Sequence, residues 1–328
     1  MHTILYFDGN AVLHNDLTFE GIPQALDDSQ GLLWVDFLDE PPEICEPVLI
    51  ETFHFHQLAV DDALQETHIP KIDDWEQYLY IALRAISFES KDGEMISTPE
   101  LDVFLGHNYI VTHHDKPVPA LERTWKHVQR DSRHIKQGAD HILYLIIDEL
   151  AVEFMKVVEQ LDDEIEVVED MIFDLSKPEI LEKAFSLKRA TIHLRRTLSP
   201  LREVLNKLAR DQYDVIDAKD RIYFRDVYDH LVRLHDISET LRELIGGALE
   251  TYLSVINNRM NDTVKTLTVI TTMFMPISFV AGFFGMNFFE PVFASTAWTG
   301  KTMLIITLAG MVIAPSIMFL YIRRRGWI

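Results

Sequence analysis

Small, uncharged polar side chains recur every three or four residues near the carboxyl end of the chain. Counting back from Gly285 in alternating steps of three and four gives a set that we call the polar stripe: Gly282, Ser278, Met275, Thr271, Thr268, Val264, Asn261 and Asn257. A spacing of 3.5 residues keeps such a set turned toward one axis in a bundle of helices. Because polar groups inside a membrane usually line water or a partner, the stripe predicts a pore formed by several copies. A dry packing seam of small residues is the alternative.

The chemistry of this stripe favours a hydrated, hard cation. It contains no thiolate, imidazole or carboxylate, the groups that strip and hold a transition metal. Mg²⁺ gives up its water reluctantly and can pass with its water shell hydrogen-bonded to neutral oxygen atoms. Met275 would then form a hydrophobic constriction that gates by dewetting.

The triplet Gly285, Met286 and Asn287 follows the stripe and predicts the entrance of the pore. The Asn287 amide and the Gly285 carbonyl oxygen would accept hydrogen bonds from the water around a cation. Glu290, just beyond the triplet, would add a ring of negative charge that attracts cations.

Two apolar stretches must position these residues. Residues 266–289 and 302–322 carry no charged side chain, and each is long enough to cross a hydrocarbon core as a helix. Arg323, Arg324 and Arg325 follow the second stretch, and the positive-inside rule places them in the cytoplasm, where they would form a basic ring. Two spans and the lack of an apolar signal peptide predict that both termini are cytoplasmic.

Charge and cysteine content limit the function classes. The region before residue 266 holds 51 acidic and 26 basic residues, a formal net charge of −25. This charge argues against nucleic-acid binding and favours cations as partners, although an acidic surface also serves solubility. A single cysteine, Cys45, agrees with a reducing compartment.

The remaining pattern predicts an α/β cytoplasmic domain, a long helical stalk and two transmembrane helices. Strands are predicted at 4–7, 31–37, 78–87, 101–105 and 109–112, the last two as a hairpin, with helices at 41–52 and 58–64. Long helices follow at 142–175 and 179–210, the second interrupted at Ser199-Pro200, and from about residue 218 onward. The predicted domains are therefore 1–140 (α/β), 141–217 (long antiparallel helices), 218–265 (stalk) and 266–328 (transmembrane hairpin).

Several motifs resemble the CorA-type family of divalent metal ion transporters. They are the Gly-Met-Asn-Phe sequence at 285–288, the Tyr-Phe-Arg-Asp-Val-Tyr-Asp-His sequence at 223–230, Met275-Pro276 with Phe-Val-Ala-Gly at 279–282, the run 70–74 and the basic end 323–327. The resemblance implies a homopentameric, funnel-shaped, multi-pass protein of the plasma membrane, the inner membrane in a prokaryote. It also implies passive transport of Mg²⁺, often with Co²⁺ or Ni²⁺, with no nucleotide hydrolysis, organic cofactor or enzymatic activity.

The same resemblance implies a regulatory cation site between neighbouring cytoplasmic domains, in which bound Mg²⁺ holds the channel shut. It places one ligand on Asp62 with Asp61 beside it, and the partner on Glu243. Glu243 departs from the aspartate common in the family and has one more methylene group. Taken alone, these acids would be ordinary solvated surface residues.

Two other function classes stay open at this stage. One is a Zn²⁺ transporter of the same superfamily, and the other is a membrane-anchored sensor or scaffold in which the hairpin is only a tether. The histidines at 54, 56, 113 and 114 invite a zinc interpretation but have no cysteine partner and no i, i+4 helical spacing. An enzyme is least favoured, because the sequence shows no nucleophile–base pair and no phosphate-binding glycine loop.

Overall fold

The structure, a computed structural model, describes residues 1–10, 12–14, 17–65, 69–91, 94–131, 137–172, 179–286 and 301–326. It divides into two units, Met1–Leu249 and Glu250–Ile328. The first unit contains an α/β layer structure and long helices, and the second contains the two apolar segments. Each unit is described by itself below.

The described residues of the first unit form nine strands. Their bounds are His2–Phe7 (β1), Leu13–His14 (β2), Leu32–Leu38 (β3), Lys71–Asp74 (β4), Leu79–Arg84 (β5), Ser87–Lys91 (β6), Glu94–Ser97 (β7), Glu100–Leu105 (β8) and Tyr109–His114 (β9). Seven of them make one sheet in the order β2-β1-β3-β9-β8-β5-β4, while β6 and β7 pair separately. Within the large sheet β3 and β9 are parallel, and the other neighbouring strands are antiparallel. The predicted hairpin between 101–105 and 109–112 is confirmed as β8 and β9.

Eight α-helices are described. Their bounds are Ile22–Leu26 (α1), Pro42–Pro47 (α2), Gln57–Leu64 (α3), Pro119–Arg130 (α4), Ala139–Met171 (α5), Glu179–Arg210 (α6), Arg221–Gly285 (α7) and Lys301–Arg324 (α8). A π-helical turn, Val48–Thr52, continues α2. The first seven helices begin in the first unit, α7 passes the boundary at residue 250, and α8 belongs to the second unit.

Both faces of the sheet are buried, which explains the nearly continuous apolar runs in its strands. On one face Phe37, Tyr80 and Phe104 are fully buried and pack with apolar residues of α1, α2 and α3. On the other face the Trp34 ring lies 4.6 Å from the Trp125 ring of α4, and α4 packs along α5. These contacts fix α3, which carries Asp61 and Asp62, against the sheet.

Two details differ from the expectations drawn from the sequence. The stretch 78–87 forms two strands rather than one, because the chain leaves the large sheet after Arg84. Helix α6 continues through Pro200, where the buried side chains of Leu198 and Leu201 hold the helix to its neighbours. Helix α7 also continues through Pro276, as expected from the single long helix predicted from about residue 218 onward. Packing on both sides of a proline outweighs the one backbone hydrogen bond that the proline removes.

In the second unit, α7 and α8 each contain a window long and apolar enough to cross a membrane. The residues that are least exposed recur every three or four positions on both helices. In the apolar part of α7 they are Val269, Thr272, Met273, Pro276, Ile277, Val280 and Phe283, and on α8 they are Thr307, Met311, Ala314, Pro315, Met318 and Ile322. This repeat indicates that the two helices pack side by side along one face of each.

Candidate functional site

The polar stripe is exposed along its whole length in the single chain. All eight members are exposed on α7: Asn257, Asn261, Val264, Thr268, Thr271, Met275, Ser278 and Gly282. Met275 has a relative exposure of 69 % and Val264 one of 56 %, so even the two apolar members are not covered by α8. The predicted residues therefore lie together on one open face.

This open face is distinct from the face that packs toward α8. At 100° per residue, the centre of the stripe lies roughly 130° around α7 from the centre of its covered residues. This angle shows that the stripe is not the face along which α7 is covered within its own chain. The seam inside one chain uses Val269 and its neighbours and leaves the stripe free for other chains or for water.

The threonine hydroxyls of the stripe are oriented by the helix itself. The Thr268 Oγ1 donates to the carbonyl oxygen of Val264 at 2.8 Å, and the Thr271 Oγ1 donates to that of Leu267 at 2.9 Å. Since the hydrogen of each hydroxyl is used in this bond, the oxygen presents only lone pairs to the open side. These oxygens can accept hydrogen bonds from the water shell of a cation, and they carry no charge.

The entrance residues are only partly within the described chain. Gly285 is the last residue of α7, and the Met286 that follows it is exposed. Asn287 and Glu290 lie outside the described residues, so their roles at the entrance remain predictions.

At the opposite end of the hairpin, the three arginines are exposed. Arg323 and Arg324 complete α8. The Arg325 guanidinium lies 5.5 Å from the centre of the Tyr321 ring, a cation–π distance. A basic ring at this position remains a prediction, because it requires several copies of the chain.

Asp61 and Asp62 occupy consecutive positions of α3, and each has a partner within the chain. The Asp61 Oδ1 accepts a hydrogen bond from Gln57 Nε2 at 2.9 Å. Asp62 forms an ion pair with the ammonium group of Lys71 on β4, which also contacts Asp73 at 2.8 Å. Burial alone would lower the pKa of Lys71, but its hydrogen bonds with the two aspartates outweigh burial and raise that pKa. Asp62 therefore lies beside a permanent positive charge.

Glu243 lies on the exposed side of α7, between the buried residues Leu241 and Ile245. Its carboxylate has no ion pair or hydrogen bond within the described part of the chain. The structure of a single chain therefore does not join Asp62 to Glu243. A cation held by both would need the Glu243 of another copy, as the resemblance implies.

Lys71 is the residue of this region that sequence reasoning missed. The sequence offered one signal: Lys71 and Asp73 are two positions apart, so on a strand they point to the same side. A strand at 71–74 was not predicted, because lysine and aspartate are poor strand formers.

The histidines that suggested zinc have separate structural contacts. His56 caps α3 by accepting a hydrogen bond from the Leu58 backbone N–H at 3.2 Å. His113 Nδ1 lies 3.9 Å from Asp102, and His114 Nε2 lies 3.2 Å from Asp36. Among the described residues, no cluster of three metal-binding side chains includes any of these histidines.

Comparisons with known proteins identify the family to which the chain belongs. The family described as CorA-like Mg²⁺ transporter protein matches residues 29–324. The cobalt/magnesium transport protein CorA of Thermotoga maritima is 32 % identical over 279 residues, covering 85 % of this chain and 78 % of that protein. A putative metal ion transporter of Bacillus subtilis, YfjQ, is 31 % identical over 297 residues, covering 90 % of this chain and 89 % of its own length.

A solved structure also resembles the whole chain. The complete structure of the CorA magnesium transporter from Methanocaldococcus jannaschii superposes with a TM-score of 0.84 at 26 % identity, covering 99 % of this chain and 98 % of the other. With a family match that spans nine-tenths of the sequence, the chain belongs to the CorA-like Mg²⁺ transporter family.

Proposed function

We propose that this protein is a passive channel for Mg²⁺, with Co²⁺ and Ni²⁺ as further cargo, assembled as a homopentamer around the polar stripe. Family membership makes the chain a divalent cation transporter of the membrane and not an enzyme. The proposal adds the ion, the pathway, the number of copies and the control of opening.

The observation that carries the proposal is the open face of α7. Its threonine oxygens present lone pairs, its glycine and serine leave space, and no charged side chain occurs between Lys265 and Glu290. A fully hydrated divalent cation needs such a lining, because a carboxylate or imidazole would bind it and slow its exit. Several copies of this face around an axis would enclose a wet, uncharged pathway.

The ends and the narrowest part of the pathway have separate roles. Gly285 and Asn287 would contact the water shell of the ion at the entrance, and Glu290 would concentrate cations there. Met275, the most exposed apolar side chain of the stripe, would close the pathway by excluding water. Arg323, Arg324 and Arg325 would set an electrostatic barrier on the cytoplasmic side, where both termini lie.

Control of opening would use cytoplasmic Mg²⁺ as the ligand. Five copies of a region with a charge of −25 repel one another, and an ion shared by Asp62, Asp61 and the Glu243 of a neighbouring copy would offset this repulsion. When the ion dissociates at low internal Mg²⁺, the copies would loosen and the pathway would open.

Flux measurements in proteoliposomes with an enclosed fluorescent Mg²⁺ indicator test the pathway. Thr271→Leu places an apolar side chain on the stripe, and Thr266→Leu is the matched control. Thr266 also donates its hydroxyl to the carbonyl four residues back, at 2.9 Å from Asp262, but it lies on the side of α7 opposite the stripe. We expect Thr271→Leu to reduce Mg²⁺ flux at least tenfold and Thr266→Leu to leave it near the original rate.

The same vesicles separate the other function classes. Normal flux in Thr271→Leu, with normal assembly, contradicts the proposed pathway. Uptake of Zn²⁺ alone, driven by an imposed pH gradient, identifies a proton-coupled zinc transporter. An absence of flux for every divalent ion, with the original protein assembled in the vesicle, identifies a sensor or scaffold.

A further inference from the structure

Three aspartates that the transport proposal does not use meet in the first unit. They come from two segments: Asp140 from the first turn of α5, and Asp217 and Asp220 from the loop that precedes α7. Each offers one carboxylate oxygen, and these oxygens lie within 4.8 Å of one another. We call this group the aspartate cluster. None of its members is Asp61, Asp62 or Glu243, so the cluster consists of other residues than the proposed regulatory site.

Backbone hydrogen bonds hold Asp140 at the centre of the cluster. Its Oδ1 accepts from the His141 N–H at 3.0 Å, and its Oδ2 accepts from the Asp217 N–H at 2.9 Å. Gly138 makes this approach feasible, because its φ of +109° and the nearness of the Asp140 carboxylate leave no room for a larger residue. The second bond ties the loop before α7 to the start of α5.

The negative charge of the cluster is only partly compensated. Lys219 Nζ lies 2.9 Å from Asp217 but 3.8 Å from Asp220, a distance too long for a hydrogen bond. With the neighbouring His141 ring neutral, three ionised carboxylates and one ammonium group leave two negative charges. Burial, together with the charges of Asp220 and Asp217, raises the pKa of Asp140 to about 6, and burial also raises the pKa of Asp220.

Asp220 supplies the observation that points to a ligand. Its relative exposure is 1 %, and its Oδ2 accepts no hydrogen bond from any described residue. The Lys219 ammonium group lies 3.8 Å from this same oxygen, too far to donate a hydrogen bond to it. A buried carboxylate oxygen without a hydrogen bond costs free energy unless a cation compensates it. On the other oxygen, the His141 ring approaches only to 3.6 Å.

Helix capping explains part of this arrangement but not all of it. An acidic residue at the start of α5 or α7 is favoured by the helix dipole, and Asp140 makes the expected backbone hydrogen bonds. Asp220, however, lies just before α7, and its Oδ2 accepts no hydrogen bond from a backbone N–H of the described residues. Nor does capping account for a third carboxylate, Asp217, beside two that already repel each other.

We propose that the aspartate cluster binds one divalent cation of the Mg²⁺ or Mn²⁺ type. Oxygen ligands at about 2.1 Å from such an ion lie roughly 3 Å apart when adjacent and about 4.2 Å apart when opposite, which the observed spacing accommodates. Mg²⁺ commonly keeps several waters and takes only a few carboxylates, so three protein oxygens suffice. The ion balances the two remaining charges and fastens the start of α5 to the loop that leads into α7.

The test counts Mn²⁺ bound to the full-length, detergent-solubilised protein by electron paramagnetic resonance. All variants carry Asp62→Asn and Glu243→Gln, so that the proposed regulatory site does not contribute. Asp217→Asn and Asp220→Asn each remove a ligand, and Asp214→Asn, an exposed acid of the same loop, is the matched control. We expect one Mn²⁺ fewer per chain in the two cluster variants and no change in Asp214→Asn. An unchanged count in both cluster variants overturns the proposal.

Thermal unfolding supplies a second readout that misfolding would not mimic. In EDTA, Asp220→Asn should unfold at a higher temperature than its parent, because it removes one of the repelling charges. With Mn²⁺, the parent should gain stability and Asp220→Asn should not. If Asp220→Asn is instead less stable in EDTA, and Mn²⁺ stabilises it as much as the parent, the cluster is a helix cap held by Lys219 and the proposal is wrong. Because neither readout measures transport, the result is independent of the proposed channel function.

Discussion

The ammonium group of Lys71 forms an ion pair with the carboxylate of Asp62, the residue to which an inhibitory cation is assigned. The two residues lie on different elements, β4 and α3, and the pair is partly exposed, with 32 % of the lysine side chain and 45 % of the aspartate side chain accessible. A cation that binds Asp62 must therefore compete with Lys71 or share the carboxylate with it. In the gating mechanism that we propose, this competition would set how much internal Mg²⁺ is needed to close the channel.

Lys71→Gln should make the channel more sensitive to internal Mg²⁺. Exposed ion pairs contribute roughly 0.2 to 1 kcal/mol, so the half-inhibitory Mg²⁺ concentration should fall by a factor of about 1.4 to 5. Flux into vesicles with a series of fixed Mg²⁺ concentrations on the cytoplasmic side measures this. Lys126→Gln, which breaks an exposed ion pair with Glu122 on α4, is the control.

Asp62→Ala combined with Glu243→Ala should act in the opposite direction and abolish inhibition by internal Mg²⁺. A rise in the half-inhibitory concentration in Lys71→Gln would contradict the assignment of Asp62.

Met275→Asn should increase Mg²⁺ flux under conditions that keep the original channel closed. A hydrophobic constriction excludes water at little cost, and an amide at the same place keeps the passage wet. Met275→Leu preserves an apolar side chain of similar size and should behave like the original protein. The Mg²⁺ flux of Met275→Asn, Met275→Leu and the original protein, each measured at high internal Mg²⁺, gives the size of the effect. Equal flux in Met275→Asn and Met275→Leu would place the gate elsewhere.

The pair of His114 and Asp36 predicts a pH-dependent contribution to stability. Burial alone would lower the pKa of His114, but the hydrogen bond and charge of Asp36, the Lys116 carbonyl and the charge of Asp115 raise it above 6.5. Because the folded pKa is the higher one, this stabilisation is fully present below about pH 6.5 and is lost as the pH rises through the folded pKa.

Asp36→Asn isolates this contribution. An asparagine oxygen can still accept the hydrogen bond from Thr112 Oγ1, which is 2.5 Å long, so the variant mainly removes the charge. Unfolding temperatures measured from pH 5.5 to 9 should differ most between the two proteins at low pH and converge at high pH. A constant difference over this range would show that the pair does not titrate as described.

Tyr80→Phe should destabilise the first unit by about 1 to 3 kcal/mol, since it leaves a buried acceptor without its donor. The Tyr80 hydroxyl donates to Asp102 Oδ1 at 2.7 Å, and both residues are almost fully buried. Tyr109→Phe is the control, because the Tyr109 hydroxyl has no hydrogen bond within the described part of the chain. Chemical unfolding followed by tryptophan fluorescence gives the free energies. Similar losses in both variants would show that removal of a tyrosine hydroxyl, and not loss of the hydrogen bond to Asp102, sets the cost.

The pattern of residue types along the sequence was sufficient to predict most of the strands and helices. The strands of the hairpin β8–β9 were predicted because β-branched and aromatic residues alternate with a clear turn between them. Strand β4 was missed because it is short and charged, and it exists because an edge position beside β5 tolerates charges. Helix α6 was expected to break at Pro200, yet buried leucines on both sides keep it continuous.

The sequence by itself determined the two spans, the polar stripe and the absence of charge along it. These features depend on residues that are near one another in the chain, so periodicity and composition reveal them. Only the tertiary structure decided that Lys71 neutralises Asp62, and that Asp140 meets Asp217 and Asp220 about 80 positions later. No periodicity links such distant residues. Their contact depends on the packing of whole helices and strands, which fixes the positions of side chains and the charges that must then be compensated.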